Sequence, residues 1–265
     1  MKTHYTFGDV ELAARRLARL AEVFEPSLVN FVTRVVEAGE LPRRTGLRVL
    51  DLGCGPGWTT RALVRLLSPC SATGVDGSER FLEEARTHSS DSSIGYQLGD
   101  VTAIDFAPLA ADVVYSRFLL THLPDPAAAL SRWADGLQPG GRMLLQETAV
   151  LDSGHPALRR YYELVDILQR RHGQSLHIGC ELPTLVDRLR YRVVTFVETP
   201  ISVSASSMAE LHAMNIQTWR HDTAAHDFDR NEVERLTSDL DALARDRDSP
   251  ARVDYVMGEM VLVLL

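Results

Sequence analysis

The chain has 265 residues, of which 45% are apolar and 24% charged, with a formal net charge of −8. That size and apolar share suit one elaborated α/β domain with a substantial core, and the acidic balance excludes a general nucleic-acid binder or a protein held to anionic membranes by charge. Cys54, Cys70 and Cys180 are odd in number and far apart, which excludes a disulfide framework or a cysteine zinc site and fits a reducing cytoplasm.

Residues 9–38 place Leu12, Leu17, Leu20, Val23 and Phe24 at helical spacing among charges, and Pro26 predicts that a second helix begins there. A linker spans 39–46. Strand and helix signals then alternate: strand 48–52, helix 59–67, strand 71–75, helix 79–87, strand 94–98, the turn Gly99-Asp100, strand 112–116, helix 125–136, the turn Pro139-Gly140-Gly141 and strand 142–147. This βαβα rhythm implies a parallel sheet covered by helices on both faces, with ligands at the carboxyl ends of the strands. After Glu147 the rhythm breaks. Residues 155–189 and 206–245 read as helical, 191–199 as a strand and 253–265 as a last buried strand. We therefore expect an N-terminal helical cover (1–45), a ligand-binding core (46–150), cover insertions at 151–190 and 201–250, and core strands at 191–200 and 251–265. Met1-Lys2-Thr3-His4-Tyr5 opens no apolar leader and no run approaches a membrane span, so no membrane partner is expected.

The stretch Val49-Leu50-Asp51-Leu52-Gly53-Cys54-Gly55-Pro56-Gly57 carries the strongest local signal. An apolar strand runs into an acid and then into alternate glycines, which permit positive φ and close approach of the backbone to a ligand. The helix that follows presents its N–H groups and positive pole to the same place. A second acid, Asp76, stands about twenty residues on, where a nucleoside ribose is read. From the residues alone, Asp51 also suits a turn cap, Asp76 a helix N-cap, Cys54 a small packed filler and Gly99-Asp100 a simple turn pair.

The ordered runs VLDLGCGPG (49–57), GVDGSERFLEEAR (74–86), GD (99–100), YSRFLLTHLPDP (115–126) and LQPGGRMLLQE (137–147) resemble the class I S-adenosylmethionine-dependent methyltransferases, especially the small-molecule group related to ubiquinone- and menaquinone-biosynthesis enzymes. The resemblance implies a Rossmann-like, mostly parallel seven-stranded sheet with a helical cover, and S-adenosyl-L-methionine as cofactor. It assigns Asp51 to organising the glycine turn and the methionine-amine end, and Gly53, Cys54, Gly55 and Gly57 to the cofactor's surroundings. Asp76, with Gly77 beside it, would accept from the ribose hydroxyls. Asp100 would accept from the adenine amino group while the Val101 N–H donates to the ring. Ser116 and Arg117 would lie beneath the cofactor, Arg117 binding the methionyl carboxylate or an acidic acceptor, or pairing with a neighbouring acid.

Two residues are candidates for chemistry. His122 follows the fourth strand near the expected methyl group, where an imidazole serves either as a base or in closing the site. Glu147 ends the fifth strand towards the same mouth, suited to orienting an acceptor, to acting as a base or to a salt bridge with the cover. The cover also holds His155, His172, His177, His212, His221 and His226, and the aromatic residues Tyr5, Phe7, Tyr161, Tyr162, Trp219 and Phe228. These rings suit a sulfonium or an acceptor as well as ordinary packing. His221, Asp222, His226 and Asp227 read as a metal cluster or as a solvated acidic face, and no metal is expected. Leu119-Leu120-Thr121 lacks the acid that precedes the histidine in some quinone-type relatives. The expected reaction is in-line methyl transfer to O, N or C of a small apolar or aromatic acceptor. The alanine-, leucine- and arginine-rich composition points towards bacterial natural-product chemistry. A cyclase or isomerase exploiting the sulfonium, and a non-catalytic binding protein, are the alternatives. The long cover segments also offer a homodimer surface.

Overall fold

The computed structural model describes residues 11–265. Tyr5 and Phe7 lie outside the described residues. Helix α1 (Glu11–Glu37) runs unbroken through Pro26, contrary to the expected restart there. Proline removes one N–H and crowds the preceding turn. Here tertiary packing overrides that cost: Phe24, Leu28, Phe31, Val32 and Val35 are all buried on the helix's inner face. Its C-terminal half packs on one face of the sheet, with Leu28, Phe31 and Val35 against Val49, Tyr115 and Val261. Its N-terminal half continues beyond the sheet, where Leu17 meets Phe81.

The strands are β1 (Arg48–Leu52), β2 (Ser71–Asp76), β3 (Ile94–Leu98), β4 (Ala111–Arg117), β5 (Leu137–Ser153), β6 (Tyr191–Ile201) and β7 (Val253–Leu264). They form one seven-stranded sheet in the order β3-β2-β1-β4-β5-β7-β6. The pairs β1–β2, β1–β4, β2–β3 and β4–β5 are parallel, whereas β7 runs antiparallel to both β5 and β6. The fold is thus the expected Rossmann-like, mostly parallel seven-stranded sheet. Chain order reverses at the β1–β4 pair, so the loops after these two strands diverge and leave a crevice.

The crossover helices are α2 (Trp58–Leu67), α3 (Glu79–Thr87), α4 (Pro126–Trp133) and the single turn α6 (Leu182–Leu185), and α5 (Pro156–Arg171), α7 (Ala205–Trp219) and α8 (Arg230–Arg245) form the cover. Ser78 caps α3 through its side chain, accepting from the Phe81 N–H, and Asp125 caps α4 by accepting from the Ala128 N–H. The cover has its own core, in which Leu158, Leu168, Met208, Trp219, Leu236 and Leu240 interdigitate.

Three expected elements differ. The turn at 139–141 is a register shift within β5, which starts at Leu137 opposite Ala111 and resumes at Arg142 opposite Val113. The strand then continues to Ser153 because β7 pairs with it throughout and carries both strands out under the cover. The helical stretch 155–189 stops at Arg171, where Gly173 takes a φ of 69° and the Gln174 N–H closes onto the Gln169 carbonyl. The stretch 206–245 splits after Trp219, because Asp222 and Asp229 each turn their side chains onto backbone N–H groups and start new helices. Among the described residues no helix is long and apolar enough to cross a membrane.

Candidate active site

A cavity of about 690 Å³ fills the crevice between the carboxyl ends of β1, β2 and β4 and the helices α1, α5 and α7. Its volume lies within the roughly 300–1,000 Å³ that encloses drug-sized ligands. One half is built by the glycine turn. Gly53 and Gly55 have φ of 71° and 50°, and the Gly53 and Cys54 N–H groups both donate to the Val75 carbonyl, which ties the turn to β2. Asp76 closes the arrangement: one carboxylate oxygen accepts from the Gly55 N–H and the other from the Ser78 N–H, both at 2.9 Å. Gly77 follows it on the wall, and a Cβ there would enter open space. Asp100 accepts from the Thr102 N–H and hydroxyl through one oxygen, and it lines the same wall with Val101.

Arg117 enters from the end of β4. It donates to the Phe24 carbonyl at 3.0 Å and to the Thr59 hydroxyl at 3.4 Å, and it forms no ion pair among the described residues. Two carboxylates, a guanidinium and a glycine turn thus share one wall. These groups fit a nucleoside joined to an amino acid: acceptors for hydroxyl and amino groups, and a cation for a carboxylate.

Three expected cofactor-binding residues, Asp51, Ser116 and Gly57, stand behind this wall. Asp51 is buried and accepts from the Thr60 hydroxyl at 2.6 Å, joining β1 to α2. Burial pushes its carboxyl up to about 7, against the opposing pull of Thr60 and Arg117. Ser116 is fully buried in the sheet with no partner for its hydroxyl among the described residues. Gly57 is required by packing rather than by a ligand, since a Cβ there would strike the Tyr96 ring and its φ is 75°. Cys54 does reach the wall, but burial raises its thiol well above the ordinary range, so it stays an uncharged packed group.

Glu147 is corrected most strongly. It is fully buried and absent from the cavity wall, and its Oε1 accepts from the Leu119 and Leu120 N–H groups at 2.9 and 2.8 Å. It therefore fixes the turn Leu120–His122 instead of facing an acceptor. Burial pushes its carboxyl up to about 8, with those N–H groups opposing the rise. His122 does line the cavity. Burial, and secondarily the positive Arg16, drives its proton affinity down to about 3, against the opposing effect of Gln174, so near neutral pH it is an uncharged ring and a weak base.

The other half of the cavity belongs to the cover. Helix α1 contributes Arg16, Leu17, Leu20 and Phe24; α5 contributes Tyr161, Val165 and Gln169; α7 contributes Met208, Leu211, His212 and Asn215. Each set repeats at three- and four-residue intervals, one face of a helix. Thr148 and Tyr255 close the floor through a 2.5 Å hydroxyl pair. Arg16, Gln169 and Asn215 escaped the sequence reading, although each interrupts an otherwise apolar stripe. Tyr162, Trp219 and Phe228 pack within the cover core instead, Trp219 edge-on to Phe228 at 5.9 Å. Asp222 caps its own turn and lies 3.2 Å from His172, while Arg171 reaches Asp227, so both acids of the 221–227 run are engaged locally.

Residues 50–145 match the family described as a methyltransferase domain. Over 101 residues, 37% of this chain and 41% of the relative, the chain is 39% identical to a ubiquinone biosynthesis O-methyltransferase from Idiomarina loihiensis. Over 159 residues, 56% of this chain and 58% of the relative, it is 33% identical to a trans-aconitate 2-methyltransferase from Streptomyces avermitilis. Residues 50–145 thus carry a methyltransferase domain, and these relatives support the resemblance to the class I S-adenosylmethionine-dependent methyltransferases. A phosphoethanolamine N-methyltransferase 2 from Haemonchus contortus, solved with S-adenosylhomocysteine, shares the fold with a TM-score of 0.55 at 21% identity, over 88% of this chain and 52% of that one. The chain spans about half the length of the curated relatives it matches. The cofactor of this methyltransferase class, S-adenosylmethionine, agrees with the groups on the glycine-turn wall.

Proposed function

We propose that this methyltransferase moves the methyl group of S-adenosylmethionine to a small, largely apolar acceptor held beneath α1, α5 and α7. The observation that carries the reading is that one cavity joins the glycine-turn wall to a chamber lined mainly by aliphatic and aromatic side chains. Asp76 holds the ribose, Asp100 and Val101 the adenine, and Arg117 the methionyl carboxylate. Residues 46–150 thus recognise the donor, while the cover segments 1–45, 151–190 and 201–250 select the acceptor. The donor supplies an electrophilic methyl on a sulfonium, which needs no covalent help from the protein. The protein's share is orientation and exclusion of water, and near-attack positioning is worth roughly 7–11 kcal/mol of barrier. Neither His122, a weak base, nor Glu147, behind the wall, supplies general base catalysis, which favours an acceptor that reacts without strong base assistance. The names of the relatives, one an O-methyltransferase of ubiquinone biosynthesis and one a trans-aconitate methyltransferase, support a metabolite as acceptor. The composition supports a bacterial natural-product setting.

The test is incubation with S-adenosylmethionine and fractionated metabolites, read by mass spectrometry. A product heavier by one CH₂, formed together with S-adenosylhomocysteine, is expected. Cofactor-dependent conversion without change in mass would instead identify a cyclase or isomerase, and cofactor binding without any conversion would identify a binding protein.

A further inference from the structure

The cover half of the cavity holds polar groups that the fold itself does not satisfy. His212 on α7 is 4% exposed, and neither ring nitrogen has a hydrogen-bond partner among the described residues. Gln169 on α5 is 2% exposed and its Oε1 is likewise unpartnered. Both side chains line the cavity. Leaving a buried polar group without a partner costs about 1–3 kcal/mol, and apolar residues of similar size would fill the same positions without that cost.

The His212 ring is also held in place. It stacks on Tyr161 with centroids 4.0 Å apart and an interplanar angle of 18°, and Tyr162 meets its edge at 5.2 Å. Tyr161 is fixed in turn by Asn215, whose amide donates to the phenol oxygen at 2.7 Å, and Asn215 accepts from Arg16 at 3.3 Å. Stacking thus orients the ring, the hydrogen bonds fix the Tyr161 it stacks on, and neither supplies a partner for the ring nitrogens.

We propose that His212 and Gln169 form the polar subsite for the methyl acceptor and that they read an uncharged hydroxyl on an otherwise apolar molecule. This rests on the methyl-transfer reading above. Burial drives the proton affinity of His212 down to about 3, so near neutral pH the ring offers one N–H donor and one nitrogen acceptor. Gln169 Oε1 adds a second acceptor. A hydroxyl accepts from the imidazole N–H and donates its single proton to Gln169 Oε1, so one group on the ligand serves both residues. A carboxylate has no proton for Gln169 Oε1. An ammonium meets the positive field of Arg16, already felt at His122. The aliphatic remainder of the wall, including Leu20, Val165 and Met208, suits the rest of the molecule.

The experiment compares binding of phenol, toluene, benzoate and benzylammonium to the full chain by ligand-observed NMR, with and without S-adenosylhomocysteine. Phenol is expected to bind about tenfold more tightly than each of the others. In His212→Phe, which keeps the stacked ring, and in Gln169→Leu, phenol should weaken about tenfold while toluene holds or improves and cofactor affinity stays unchanged. Equal binding of phenol and toluene to the unmodified chain overturns the proposal without need of any variant. Phenol binding unchanged in both variants also overturns it. Absence of S-adenosylhomocysteine binding with phenol selectivity intact would instead refute the methyl-transfer reading and leave the subsite standing.

Discussion

Glu147→Gln separates a structural acid from a catalytic one. Glu147 is held at a carboxyl pKa of about 8 in the fold against an ordinary value of 4.5, with burial as the main cause. Between these values the folded chain keeps a proton that the unfolded chain has lost. Stability contributed by this group is therefore fully present below about pH 4.5 and is lost as the pH rises towards 8. Each pKa unit is worth about 1.4 kcal/mol, so the group removes roughly 5 kcal/mol across the window. Glutamine keeps an oxygen for the Leu119 and Leu120 N–H groups and has nothing to titrate. Urea unfolding of both proteins from pH 5 to pH 8 should show the variant gaining on the parent by about 1 kcal/mol per unit. Cofactor affinity should be unchanged. Parallel stability curves would refute the burial argument, and a large loss of turnover at constant cofactor affinity would restore Glu147 as a catalytic group.

His122→Gln should lower turnover by less than about tenfold, against the roughly 10²–10⁴ that general base catalysis supplies, and the pH–rate profile should lack an inflection near the ordinary histidine value. A hundredfold loss accompanied by a vanished inflection would contradict the uncharged, weakly basic ring. Arg117→Gln should weaken S-adenosylmethionine roughly 10- to 100-fold, the worth of one charge-assisted hydrogen bond, while 5′-methylthioadenosine, which lacks the amino-acid end, binds as before. Equal weakening of both ligands in calorimetry would show that Arg117 only supports the wall.

The sheet was legible because buried strands, glycine turns and capped helices repeat in the first half of the chain, where local signals and tertiary structure agree. Asp76, Gly77, Asp100, Val101 and Arg117 fall together on one wall because each lies at the carboxyl end of a strand or in the loop after it, a position that chain order alone specifies. Depth was not legible. Ser116 sits near the end of β4 and Glu147 within β5 just past its last pairing with β4, but both side chains are buried in the packed layer, and one residue of alternation decides that. The role of Gly57 depends on Tyr96 from β3, a contact across about forty residues that no local pattern announces. The helix through Pro26 formed because core packing outweighed a local breaker. In the cover, Arg16, Gln169 and Asn215 meet only when α1, α5 and α7 converge. A polar residue in one helical stripe looks like a surface position until the other two stripes are placed beside it.

The most direct test of the glycine-turn wall as the donor site is calorimetric titration of S-adenosylmethionine into the unmodified chain and into Asp76→Asn. Asparagine retains an acceptor for the Gly55 N–H but gives up the charged pair of oxygens. Binding to the unmodified chain with a loss of roughly hundredfold or more in the variant is the predicted result, from two charge-assisted hydrogen bonds of about 1.5–3 kcal/mol each. Equal affinities, or no binding to the unmodified chain, would contradict it.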